Sequence, residues 1–263
     1  PPLYSSAASD VYKRQAFDKI DGKRWQGLAT PSPSGTTIDT NPQRRRSQVS
    51  NEALDKVLAN LVIPVVVIHD AATAPAVTDG LVDGGLPVAE VTFRTDAAPA
   101  AIESMAKDGR VMVGAGTVIN ARQVDEAVSA GATFVVSPGL SREVVDRCRH
   151  HDIPVLPGVI TPTEIMAGID MGLDTFKFFP AGNFGGATTI ASLDGPFPNL
   201  RFVPTGGVKP HNLADFLSRP NIPAVGGTWL TPADAVAARD SRTIANLARE
   251  AARSAHSIVE EQS

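Results

Sequence analysis

Of the seven lysines in the chain, Lys177 is the one inside a strand-forming run, Asp174-Thr175-Phe176-Lys177-Phe178-Phe179-Pro180. An amine between phenylalanines has its charged form disfavoured by desolvation, which lowers its pKa and leaves it nucleophilic. Such an amine can add to a ketone and lose water, forming a Schiff base. The plainer alternatives are a lysine that snorkels to solvent or a buried ion pair. A second run, Val88-Ala89-Glu90-Val91-Thr92-Phe93-Arg94, carries a carboxylate and a guanidinium four residues apart. On a strand, alternation puts Glu90, Thr92 and Arg94 on one face. Glu90 could then shuttle a proton and Arg94 offer a planar fork to a carboxylate. The bland alternative is a salt bridge that holds the strand.

Weaker signals surround these. Gly114-Ala115-Gly116-Thr117 would let the backbone approach a ligand and present a hydroxyl, although such a run is often only a tight turn. Pro138, in Ser137-Pro138-Gly139, reads by itself as a turn proline. Two glycine pairs, Thr205-Gly206-Gly207 and Gly226-Gly227-Thr228, are suited to presenting backbone N–H groups to a phosphate at a helix start, with Thr228 adding a hydroxyl. The histidines at 69, 150, 151, 211 and 256 show neither HxH nor HExxH spacing, and no carboxylates cluster, so no metal is expected. Cys148, between Arg147 and Arg149 on a helical stretch, has no evident role.

To bring these residues together the chain needs a scaffold, and its periodicity supplies one. Short apolar runs at 63–68, 88–93, 111–116, 133–137, 154–159, 174–179, 201–206 and 223–228 alternate with helical patterns such as 74–85 and 121–132. A first helix is expected near 51–60 and a helical tail over 233–260. Eight strands with intervening helices predict a (β/α)₈ TIM barrel with an extra N-terminal helix, spanning residues 51–263. An open doubly wound sheet would need a longer crossover where the strand order reverses, and no GxGxxG follows the first strand. In a barrel, groups at the C-terminal strand ends form the site.

Composition narrows the function classes. Hydrophobic residues make up 43% and aromatics 5% of 263 residues, as expected for a parallel sheet buried on both faces. The net charge of −4 offers no general basic field for nucleic acid, and no apolar run is long enough to span a membrane. One cysteine excludes an internal disulfide and fits a reducing, cytoplasmic setting. Residues 1–50 lack periodicity and read as a disordered or non-native leader or linker, with Arg44-Arg45-Arg46 a solvated run. Four aspartates among them argue against a transit peptide.

The motifs EVTFRT (90–95), GAGTV (114–118), SPG (137–139), PGVITPTE (157–164), FKFFPA (176–181), PTGG (204–207) and GGTWL (226–230) together resemble the class I 2-keto-3-deoxy-6-phosphogluconate and 4-hydroxy-2-oxoglutarate aldolases. The resemblance covers about residues 51–235. It implies Lys177 as the Schiff-base lysine and Glu90 as general acid/base. Arg94, Thr117 and Phe179 would bind the pyruvate portion, Pro138 would influence stereochemistry, and Gly206, Gly207, Gly227 and Thr228 would take the phosphate. It further implies carbohydrate metabolism of the Entner–Doudoroff type, no cofactor, a small-molecule 2-keto-3-deoxy phosphosugar acid as partner, and a homotrimer. Two positions depart from the family pattern: Gly182 stands where Glu is common, and Thr228 where Ser is common. The rival readings are the same chemistry on 4-hydroxy-2-oxoglutarate or 2-dehydro-3-deoxy-6-phosphogalactonate, a phosphosugar isomerase or epimerase, and a non-catalytic phosphometabolite-binding barrel.

Overall fold

Leu54, Val57 and Leu58 recur at the three- and four-residue spacing of a helix, and they are buried on a first helix, α1, over residues 52–58. The computed structural model describes residues 52–262. The expected leader over 1–50, with its arginine run, lies outside the described residues. After α1 come β1 (Val62–Val66), α2 (Ala74–Asp83), β2 (Val88–Thr92), α3 (Ala98–Asp108), β3 (Met112–Gly116), α4 (Ala121–Ser129), β4 (Val135–Val136) and α5 (Arg142–His150). The second half holds β5 (Val155–Leu156), β6 (Gly158–Val159), α6 (Pro162–Asp170), β7 (Thr175–Phe178), α7 (Gly186–Asp194), β8 (Arg201–Pro204), α8 (Leu213–Leu217), β9 (Val225–Gly227), α9 (Ala233–Ala237) and α10 (Ser241–Glu260).

All strand pairs are parallel, in the orders β5-β4-β3-β2-β1-β9 and β6-β7-β8. Two features close these arcs into the (β/α)₈ barrel. A bridge between Thr205 and Gly226 joins the β8 end to β9. The fifth barrel strand is β5 and β6 together, interrupted at Pro157, which has no N–H for the ladder but whose carbonyl accepts from Lys177 N–H at 2.9 Å. The single strand expected over 154–159 is therefore two short pieces. The tail expected over 233–260 also divides, at a turn where Arg239 has φ +56°.

Alternation along the strands builds two cores. Ile63, Val88, Phe134, Val136, Leu156, Val203 and Ala224 face the axis and meet Leu54, Val57 and Leu58, so α1 plugs the N-terminal end of the barrel. Outward residues such as Val62, Ala89, Val91, Phe176, Phe178 and Phe202 pack beneath the helices. Arg201 ties the plug down, with Nη1 2.7 Å from Asp55 Oδ1 and Nε donating to Thr175 Oγ1 at 3.0 Å. Above the apolar plug the axis changes character. That is where the charged side chains sit.

Candidate active site

Lys177 is central on β7 and Glu90 central on β2, and both are buried, at 5% and 3% exposure. Lys177 Nζ donates to Glu90 Oε1 at 3.1 Å across the barrel axis. The flanking phenylalanines do not create this setting. Phe176 and Phe178 point the other way, into the layer under the helices, where each ring centroid lies 6.4 Å from that of Phe202. The expectation that they desolvate the amine mistakes sequence neighbours for spatial ones, because adjacent strand residues face opposite sides. The aromatic contact comes from Phe179, two residues on, whose ring centroid is 5.2 Å from Nζ. Room for the pair is left by glycine. A Cβ on Gly116 would stand 2.3 Å from Glu90 Oε1.

Arg94 is not on the strand with Glu90. β2 ends at Thr92, and Phe93 and Arg94 form a turn at the barrel rim. The guanidinium is exposed there and Nε donates to Thr117 Oγ1 at 3.4 Å. Alternation thus correctly joins Glu90 to Thr92 on the axis and fails at Arg94, four residues on, which lies at the rim. Thr117 follows β3 in the left-handed region, φ +59°. A non-glycine residue rarely occupies that region outside turns. Arg94 and Thr117 together form a cationic, hydroxyl-bearing corner at the mouth.

Pro138 lies in the bend two residues after β4, and its carbonyl lies against Gly158, where a Cβ would be 2.2 Å from the oxygen. Gly158 is the register partner of Lys177. Pro138 therefore borders the strand position beside the amine. Beyond β8, Gly206 and Gly207 both have positive φ, +86° and +85°. Gly206 abuts Phe179, with a Cβ there 3.3 Å from the ring. The bridged Thr205 and Gly226 bring the Gly227-Thr228 loop alongside. Thr228 is exposed, and Trp229 folds its ring over Gly227, leaving no room for a Cβ. Neither glycine pair runs directly into a helix. A 3₁₀ turn at Pro210–Asn212 precedes the five-residue α8, and Pro232 precedes the five-residue α9. Any anion here is offered the N–H groups of the loops themselves.

A family model described as KDPG and KHG aldolase matches residues 54–247. The chain belongs to this aldolase family. It is 44% identical over 191 residues to the KHG/KDPG aldolase of Escherichia coli K12, covering 72% of this chain and 90% of that one. It is 43% identical over 198 residues to the 2-dehydro-3-deoxy-phosphogluconate aldolase of Pseudoalteromonas atlantica, with coverages of 75% and 92%. Among solved structures, the 2-keto-3-deoxy-6-phosphogluconate aldolase of Zymomonas mobilis ZM4 with 3-phosphoglycerate superposes with a TM-score of 0.72 at 43% identity, covering 76% of this chain and 94% of that one. The KDPG aldolase from Legionella pneumophila, with pyruvate captured as a covalent carbinolamine intermediate, gives 0.71 at 39% identity, with coverages of 73% and 95%.

In this member of the aldolase family, one side chain inside a quoted motif has a role that motif reading did not assign. Glu164, inside PGVITPTE, caps α6 and accepts from the Ile160 and Thr161 N–H groups, both at 2.8 Å, and from the Thr161 hydroxyl at 2.9 Å. Partial burial pulls its carboxyl upward, but those three donors outweigh it and hold the pKa below the ordinary value. The box Thr161-x-x-Glu164 was visible as a helix start. Gly182, named above as a departure from the resembled pattern, lies against the Gly206-Gly207 loop. Its N–H donates to the Gly206 carbonyl at 2.8 Å, and a Cβ on it would come 3.2 Å from Gly207 Cα. Among the described residues, no three His, Cys, Asp or Glu side chains converge as a metal site would require, and no helix is long and apolar enough to cross a membrane. Cys148 is wholly buried on α5, away from the axis, with its thiol pushed up to about 12 by burial.

Proposed function

We propose that this protein is a Schiff-base aldolase that cleaves 2-dehydro-3-deoxy-6-phosphogluconate to pyruvate and glyceraldehyde 3-phosphate, with Lys177 as nucleophile and Glu90 as acid/base. The observation that carries this is the buried amine 3.1 Å from a buried carboxylate on the barrel axis, below a rim that offers a guanidinium on one side and two glycine loops on the other. The covalent carbinolamine named for the Legionella relative and the phosphorylated acid named for the Zymomonas relative are what those two ends of the site would hold.

Glu90 takes a proton from the Lys177 ammonium, and the free amine adds to the C2 ketone while Arg94 and Thr117 hold the adjacent carboxylate. The carbinolamine hydroxyl leaves as water with the proton returned by Glu90, giving an iminium and a carboxylate. Glu90 then removes the C4 hydroxyl proton, and C4–O becomes a carbonyl as the C3–C4 bond breaks. The bonding pair flows to the iminium nitrogen, leaving an enamine, and the aldehyde departs. Protonation at C3 by Glu90 and hydrolysis release pyruvate and restore the amine. The iminium itself is the electron sink. Phe179 packs on the bound keto acid, and Pro138 bounds the face on which C4 presents its substituents. The loops at Gly206-Gly207 and Gly227-Thr228 hold the phosphate, and binding energy there is spent on positioning the reacting carbons.

The KHG/KDPG designation of the Escherichia coli relative favours 4-hydroxy-2-oxoglutarate as a second substrate for the same machinery. A cytoplasmic homotrimer acting in sugar-acid breakdown completes the proposal. Ile119, Met166, Ile169 and Phe184 leave apolar surface uncovered for such self-association. Incubation with pyruvate and borohydride should leave one irreversible adduct, located on Lys177 by mass spectrometry, with pyruvate released from the phosphorylated substrate in a lactate dehydrogenase-coupled assay. A protein with no adduct, or with the adduct on another lysine, does not work this way.

A further inference from the structure

Among the described residues, one side chain hydrogen-bonds to the backbone of the loop after β8. Asn212, at the end of the 3₁₀ turn, reaches back so that Nδ2 donates to the Gly207 carbonyl at 3.0 Å and Oδ1 accepts the Lys209 N–H at 2.8 Å. The amide nitrogen can only donate and its oxygen only accept, so both ends of the side chain are committed. The Gly207 carbonyl shares a planar trans peptide with the Val208 N–H, and the two point in opposite directions. Holding that carbonyl toward Asn212 turns the Val208 N–H away from it. This N–H, like that of Gly207, donates to no acceptor among the described residues. Val208 itself is buried at 3% and Gly206 rests on Phe179, so the loop is gripped at both ends while its middle donors stay unspent.

The geometry points to Asn212 as a positioning residue for the phosphate-bearing end of the substrate. It never touches the reacting carbons. It sets the orientation of the 207–208 peptide, on which a phosphate monoester depends for its N–H donors. This rests on the phosphate reading of the loop given above. The sequence places Asn212 five residues beyond Gly207, past Lys209 and Pro210, where no spacing rule marks it.

The test compares the phosphorylated substrate with its dephospho counterpart, 2-dehydro-3-deoxygluconate. Wild type should prefer the phosphorylated acid; no preference would overturn the phosphate reading and this inference with it. Asn212→Ala should raise KM for the phosphorylated acid about tenfold, the equivalent of about 1.4 kcal/mol and the scale of one backbone hydrogen bond lost. The dephospho acid should be handled as before, and so should exchange of pyruvate methyl protons with deuterated solvent, which needs the amine but not the loop. Inorganic phosphate should compete correspondingly more weakly. Asn212→Asp, which keeps the Lys209 bond but cannot donate to Gly207, should lose as much as Asn212→Ala, and it serves as the test if the alanine variant does not fold. Equal losses on both substrates and on exchange would make Asn212 merely structural. An unchanged preference in either folded variant would overturn the inference outright.

Discussion

Gly116→Ala tests whether Glu90 works from the position it occupies. The added Cβ would stand 2.3 Å from Glu90 Oε1, 2.6 Å from Cγ and 2.8 Å from Cδ, where ordinary contact begins at 3.4 Å. The methyl cannot retreat, because Gly116 is held in β3 opposite Thr92. The carboxylate must yield by about 1 Å, which stretches the 3.1 Å bond to Lys177 out of hydrogen-bonding range. Misplacement by about 1 Å costs roughly 10²-fold in rate, and full removal of a positioned acid/base costs roughly 10²–10⁴-fold. Gly116→Ala should therefore lower kcat about 100-fold, with Glu90→Gln falling at least as far. Stability should drop by about 1–3 kcal/mol for the overpacked axis. The decisive measurement is a kinetic cycle, with kcat from the coupled pyruvate assay and folding checked by thermal melts. In a Glu90→Ala background the carboxylate is gone and the methyl has space, so Gly116→Ala should cost almost nothing further. Two folded variants whose losses multiply would show that Gly116 acts on something other than Glu90. A folded Gly116→Ala with wild-type kcat would refute the claim that this carboxylate must sit beside the amine.

Three further outcomes are expected. Glu164 has its carboxyl held below the ordinary value of 4.5, so its contribution to stability is present above that pH and is lost as pH falls through the lowered value. The melting temperature of Glu164→Gln should lie below wild type at neutral pH and converge on it in acid; a gap that stays constant to low pH would show that the carboxylate charge contributes nothing. Cys148, raised from 9.0 to about 12, should hold roughly a thousandfold less thiolate than a free cysteine near pH 8. It should react with a disulfide reagent only after denaturation, and prompt labelling of the native enzyme would contradict its burial. Chelation with EDTA should leave turnover unchanged, and a loss restored by Mg²⁺ or Zn²⁺ would assign the chemistry to another class of aldolase.

Strand alternation is the part of the site that could be read before any coordinates. Glu90 and Lys177 each lie at a strand centre, two residues from other axis-facing positions, and a period of two is enough to aim both inward. The same rule, neglected at Phe176 and Phe178, gave the wrong neighbours for the amine. It also gave the wrong position for Arg94, because alternation holds only while the strand lasts and β2 stops at Thr92. Boundaries of this kind depend on partners: β2 pairs with β3 from Val88–Met112 to Thr92–Gly116, and no ladder continues past that point. The break at Pro157 was legible in the proline itself. The brace from Asn212 and the clearance at Gly116 were not, because each depends on a contact between residues whose meeting no local pattern encodes.

The position of the charged pair within the barrel bears on why it is there. At the lower level the axis is filled by Ile63, Val88, Phe134, Val136, Leu156 and Val203 against the α1 plug, so this fold packs its own interior with hydrocarbon. One level higher the strands supply Glu90, Lys177 and Thr92, with Gly116 where a side chain would otherwise meet Glu90. An ion pair removed from water recovers its desolvation cost only with good geometry, and apolar replacements of equal volume often leave stability unchanged or improved. Stability alone therefore gives no reason to place charge where Val or Leu would fit. A glycine that leaves Glu90 room on the axis favours a ligand over packing as the reason for the carboxylate's position. On the proposed mechanism, the buried Lys177–Glu90 ion pair is the resting arrangement of the two groups assigned to catalysis.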